Sequence, residues 1–182
     1  GARALVPVPV EAMGLVEWKR GDYARATELF EESLELWREF GGMHNIGWSL
    51  TSLAVVALEQ ELYERALALA GQGLELLRQA GAEDVMADCL EILAAVEAAR
   101  GRPTPAVRLF GAVEALREAI GVAARPRFRP SYEQFIAAAR AQVGEKKFAA
   151  AWAAGREMTP AQTAACALEA IPSAGMIDPA QE

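Results

Sequence analysis

Few residues in this chain are suited to chemistry, and their spacing argues against it. The single histidine, His44, follows Gly41-Gly42 with no second histidine and no cysteine near it. It reads as an exposed loop or cap residue rather than a base or metal ligand. Cys89 and Cys166 are isolated and sit in helical patterns, so they read as small buried hydrophobes in a reducing, cytoplasmic setting. The carboxylate pairs Glu31-Glu32 and Glu83-Asp84 fall on helix faces or at a helix start, where negative charge meets the positive end of the helix dipole. Neither a G-x-x-x-x-G-K-[ST] phosphate loop nor a G-x-S-x-G nucleophile turn occurs. Gly71 and Gly73 lack a preceding strand and do not complete a dinucleotide fingerprint; they indicate close helix contact. The expectation is a non-enzymatic chain with no cofactor and no metal.

Charge is unevenly spread. The whole chain carries −7, with a pI near 4.9, which disfavours nucleic acid and anionic membrane. Residues 1–99 carry −10, whereas seven arginines from Arg100 to Arg129, against Glu114 and Glu118, give that stretch +5. Arg125, Arg127 and Arg129 surround Phe128 and form a basic patch. Arginines around an aromatic can grip phosphate and stack a base. With no reading helix beside them and an acidic chain around them, pairing with acidic residues of the preceding segment or another domain is the stronger expectation. No run approaches the ~20 apolar residues of a membrane span. The start lacks an initiator Met and is already in phase with the helical pattern downstream of it, as expected of a piece of a longer protein.

The elements that position these residues repeat every 40 residues. Gly41, Gly81 and Gly121 stand one period apart, as do Ala26, Ala66 and Ala106. Leu36, Leu76 and Leu116, then Met13, Leu53 and Leu93, then Val10, Leu50 and Leu90 keep the same phase. A period in this range marks a solenoid of helical hairpins, each unable to bury its apolar stripe alone. The scarcity of aromatics, at 7%, and the dominance of Ala and Leu favour helices over sheet.

Along the chain, a first helix ends at Arg20, Gly21 stops it, and Asp22 caps a second helix running to Phe40. The second unit starts near Asn45, with Glu61 in place of Gly21, so its turn is expected to be strained or shifted. The third turns at Gly101 and restarts with Thr104 as cap and Pro105 at the first helical position. Three repeats are expected, at about 7–46, 47–86 and 87–122. A Pro/Arg linker over 123–130 precedes a helical cap over 131–170. The cap contains the capping boxes Ser131-x-x-Gln134 and Thr159-x-x-Gln162, and a flexible tail completes the chain over 171–182. The predicted fold is all-α, a right-handed α-solenoid of helical hairpins closed by a C-terminal helical cap.

With Met13-Gly14, Gly21-Asp22-Tyr23, Ala26, Phe30 and Leu34 in place, the first unit resembles the tetratricopeptide repeat. The second does so through Leu53-Ala54, Tyr63, Ala66 and Leu74, and the third through Leu93-Ala94, Gly101, Ala106 and Phe110, with Pro103 at the tyrosine position. The period exceeds the usual 34 by about one turn split between helices and loop. The run Leu109 to Gly121, joined by Tyr132-Glu133, Gly144, Phe148, Trp152, Gly155-Arg156 and Thr159, resembles the end of the repeat region in large bacterial ATP-binding regulators. These are the LuxR-like and AfsR-like proteins and the ATPases fused to cyclase domains. That resemblance implies a sensing or regulatory arm; the expected partners of its concave face are a protein, a peptide, neighbouring domains or a small effector.

In such an array the first helix of each hairpin lines the concave side. By repeat phase the candidates are Glu11, Leu15 and Trp18, then Trp48, Thr51, Val55 and Leu58, then Asp88, Glu91 and Ala95. Trp18 and Trp48 read either as partner anchors or as core residues between hairpins. Asp88 with Glu91 would suit a basic peptide. Trp37, on a second helix, reads as core or convex surface. The competing reading is a self-association scaffold in which the acidic front of one copy meets the Arg-rich rear of another; salt-dependent sedimentation separates the two.

Overall fold

A computed structural model describes residues 7–121, 129–169 and 171. Among these there are nine α-helices and no strand: α1 (Pro7–Arg20), α2 (Tyr23–Phe40), α3 (Met43–Glu59), α4 (Tyr63–Ala80), α5 (Glu83–Ala99), α6 (Pro103–Ile120), α7 (Arg129–Val143), α8 (Glu145–Arg156) and α9 (Pro160–Glu169). The chain is an all-α solenoid whose hairpins are α1/α2, α3/α4 and α5/α6.

Each hairpin turns through the same backbone geometry. Gly21, Glu61 and Gly101, one period apart, have φ of 81°, 60° and 74°. In each turn the next N–H closes a wide bond back to the helix: Asp22 to the Glu17 carbonyl at 3.0 Å, Leu62 to Ala57 at 2.9 Å and Arg102 to Glu97 at 2.9 Å. This closure satisfies carbonyls that a helix end leaves without partners. The second turn is therefore not shifted by Glu61; Glu61 is forced into the left-handed region, at a cost of about 1–2 kcal/mol. Asp22 caps α2 by accepting from the Arg25 N–H at 3.0 Å, as its type and place predict.

Three starts differ from the sequence reading. α3 opens at Met43, so exposed His44 lies in its first turn and not in a loop. α6 opens at Pro103, with Arg102 before it, because a residue without an N–H and with φ already near −65° costs least at the first position. Thr104 therefore lies inside the helix and does not cap it. α7 likewise opens at Arg129, ahead of the Ser131 capping box. The Thr159 box forms as expected: the Gln162 N–H donates to Thr159 Oγ1 at 3.2 Å, and the Thr159 N–H donates to Gln162 Oε1 at 2.9 Å. Of the linker only 129 and 130, and of the tail only Ile171, fall within the described residues.

Packing follows the period. Ala26, Ala66 and Ala106 are fully buried where the second helix of each hairpin meets its neighbours. Gly14 of α1 faces Phe30 of α2 so closely that a Cβ there would lie 2.6 Å from the ring. In α4, Gly73 lets the Gly47 carbonyl and Cys89 Sγ approach to 3.3 and 3.4 Å of where a Cβ would stand. α5 is buried at every residue from Val85 to Ala98, with α3 and α4 on one side and α6, α7 and α9 around the rest. A helix covered on all sides must be apolar nearly all round, and between Val85 and Ala98 α5 carries charge only at Asp88, Glu91 and Glu97.

The cap does not continue the repeat. α8 lies along α6 much more extensively than α7 does, and the two helices touch backbone to backbone. A Cβ at Gly155 would overlap the Arg108 carbonyl oxygen, and one at Gly111 would overlap that of Trp152. Around this crossing, Phe148 stacks on Trp152 at 5.3 Å and Trp152 Nε1 donates to Glu114 at 3.0 Å. Arg156 bridges Glu114 and Glu118 at 2.6 and 2.7 Å. α9 folds back over α4, α5 and α6.

Candidate functional site

The first-helix residues expected to line one face divide into two groups. Leu15, Trp18 and Trp48 are half-buried, each with part of its surface open. Trp18 packs against both apolar clusters of the core and Trp48 against the larger one, so each is partly core residue and partly surface. Glu11, Thr51, Val55 and Leu58 are buried, as are Asp88, Glu91 and Ala95. Arg125 and Arg127 lie outside the described residues, and only the backbone of Arg129 is described. Trp37 is half-buried, as the core-or-convex reading allows.

Burial of the third-repeat residues has a definite cause. Arg117, near the end of α6, turns inward and donates from Nη1 to Glu91 Oε1 at 2.7 Å and from Nη2 to Asp88 Oδ1 at 2.8 Å. All three side chains are nearly removed from solvent, with Arg117 8% and Asp88 2% exposed. Burial opposes the Arg117 charge, but Glu91 and then Asp88 outweigh it, so its pKa is raised above the ordinary guanidinium value. Buried Tyr132 of α7 feels the same charges. Burial first, then Glu91 and Asp88, hold its hydroxyl well above 10, so it stays protonated. Asp88 and Glu91 are thus committed to a cation of the chain itself, joining α5, α6 and α7. Neither carboxylate is therefore open to a basic peptide.

Repeat register carries the signal for Arg117. Its counterparts one and two periods earlier are Leu77 and Trp37; those of Asp88 are Trp48 and Val8. A lone charge in an otherwise apolar column, matched by an opposite charge in a second such column, indicates an internal ion pair. Neither column alone shows it.

Beside this cluster the Thr51 hydroxyl donates to the Gly47 carbonyl at 2.7 Å. Its only hydrogen being used, it accepts from the Cys89 thiol at 3.0 Å. Burial pushes Cys89 up to about 12, against the Thr51 hydrogen bond, so it stays a thiol and is no nucleophile. Cys89 and Cys166 are both free, Cys166 being half-buried. Deep at the end of α5, Glu97 accepts from Arg102 Nη2 at 2.5 Å. Burial raises its pKa, against the pull of Arg102 and Arg100. Among the described arginines of the basic stretch, Arg100, Arg102 and Arg117 pair with Glu64, with Glu97, and with Asp88 and Glu91 of the same chain.

No group of three or more His, Cys, Asp or Glu side chains placed to hold a metal occurs among the described residues. No described helix is long and apolar enough to cross a membrane. What the arrangement offers is surface: partly open Trp and Leu side chains on the first helices of successive hairpins, backed by a packed core. The tetratricopeptide repeat family matches residues 6–79, which span the first two hairpins. No curated protein and no solved structure matches the chain.

Proposed function

We propose that this chain is a non-enzymatic protein-interaction arm of a larger bacterial signalling or transcriptional regulator. Its first-helix face receives a peptide, a neighbouring domain or a small effector. The observation that carries the reading is the placement of Trp18 and Trp48 on the first helices of two successive hairpins, both within the tetratricopeptide-matching stretch and both partly open. Large aromatics set in a rigid frame are the residues that most often dominate the energy of a protein interface. Half-buried Leu15 completes that end of the face, with buried Glu11 beneath it. Thr51, Val55, Leu58, Asp88 and Glu91 support it from beneath, since their side chains are spent on the core and on Arg117.

The test compares Trp18→Ala and Trp48→Ala in the full-length regulator and in this chain. Signalling output is expected to fall about tenfold or more for at least one variant, the size of a single interface anchor of ~1.4 kcal/mol or more. The melting temperature of the chain should stay within a few degrees. Unchanged output, or a melting temperature that collapses with it, returns both tryptophans to the core.

A further inference from the structure

The outer face of α1 carries a stripe of four apolar residues at helical spacing, Pro9, Ala12, Met13 and Val16, all exposed. Met13 and Val16 are 54% and 47% exposed. The repeat itself shows what such a stripe is for. One period later the same positions are Ser49, Ser52, Leu53 and Val56, and two periods later Cys89, Ile92, Leu93 and Val96; all eight are 4% exposed or less. Leu53 and Val56 are buried against Ala26, Phe30 and Leu34, the inward residues of α2 in the preceding hairpin, and Ser49 meets Ser33 of α2 at 3.5 Å. Leu93 and Val96 lie in one cluster with Ala66, Ala70 and Leu74 of α4, the corresponding positions one period on. A second helix with a small residue, then an apolar one, then leucine at intervals of four thus covers this stripe twice within the molecule.

We propose that Pro9, Ala12, Met13 and Val16 are a docking face for the second helix of another tetratricopeptide-type hairpin, seated on α1 as α2 sits on α3. The occupant is not a second copy of the described helices joined front to back. α2 is covered by α3, α4 by α5, and α6 by α7 and α8, so no second helix among them is left to offer. The face is apolar where a lone surface helix would be polar, and it continues an interface that the chain already builds twice. The inference rests on the register of the solenoid and is independent of any partner at Trp18 and Trp48.

A chain extended by an additional copy of residues 3–42, joined directly ahead of Arg3, presents a second α2 to α1 in the native register. In a Met13→Cys background, thiol labelling at position 13 should slow about tenfold or more relative to the unextended chain. The melting temperature should rise by about 4 °C or more. Val16→Asp, an exposed change in the unextended chain, should cancel both effects in the extended one. Labelling and melting temperature unmoved by the extension overturn the proposal. So does an unextended chain that sediments as a dimer and becomes monomeric with Val16→Asp, since the occupant is then a second copy.

Discussion

The hairpins and the cap bury helices by different means. Between α1 and α2 a glycine meets a ring, Gly14 against Phe30; in the second hairpin Gly73 still leaves 3.3 Å between a Cβ position and the Gly47 carbonyl; and the stacking of successive hairpins is made by side chains that recur every 40 residues. Between α6 and α8 backbone meets backbone at Gly111 and Gly155, with no room for a Cβ at either, and polar bridges from Arg156 and Trp152 ring the crossing. A side-chain interface can be repeated with substitutions, since neighbouring rotamers absorb small changes in volume. A backbone crossing cannot be extended in that way, so it suits an end. The buried Arg117 cluster stands where the two regimes meet, with its cation on α6, its carboxylates on α5 and Tyr132 of α7 beside it.

Breaking that meeting point should have the largest effect. Arg117→Ala removes a buried guanidinium that donates to both Asp88 and Glu91, and is expected to cost about 3–5 kcal/mol in denaturant unfolding. Adding Asp88→Asn and Glu91→Gln should recover a good part of this. A cost below ~1 kcal/mol would show that the two carboxylates are hydrated.

Next in size, the two kinds of junction should respond differently to one methyl group. Gly155→Ala forces α8 away from a carbonyl that cannot move aside, and about 3 kcal/mol of lost stability is expected, the upper end of overpacking costs. Gly14→Ala displaces a ring that can tilt and gains nearly 1 kcal/mol of helix propensity, so its net cost should be smaller by at least ~1 kcal/mol. Equal costs at the two glycines would erase the distinction between side-chain and backbone docking.

The smallest effect is a gain, confined to the repeats. Glu61→Gly relieves the left-handed strain at the turn where the other two hairpins already have glycine, and should raise stability by about 1 kcal/mol. A loss instead would mean that the Glu61 side chain makes a contact worth more than the strain.

Much of the fold was legible in the chain. Helix lengths, the hairpin turns and the Thr159 box follow from local patterns, and the phase of Ala26, Ala66 and Ala106 placed the buried small residues correctly. The differences lie at helix starts: prolines at 103 and 130 admit helix earlier than the nearest capping side chain suggests, and α3 opens at Met43 directly after Gly42. The binding face was less legible. Thr51, Val55 and Leu58 occupy first-helix positions that phase alone assigns to a groove, yet they are buried. Asp88 and Glu91 look like exposed acids until Arg117, more than a helix away in sequence, is brought against them.

Sequence alone determined that helices form, that they pair, and that three pairs share a register. These are matters of spacing within a few tens of residues, and period and propensity report them directly. Tertiary structure alone decided how the array ends: that α8 crosses α6 at two glycines, that α7 and α9 wrap α5, and that Arg117 closes over the acids of the third hairpin. The cap contacts join segments with no common period, and Arg117 and Asp88 stand where the other repeats are apolar; the energies come from excluded volume and burial of charge, which exist only once the helices have been brought together.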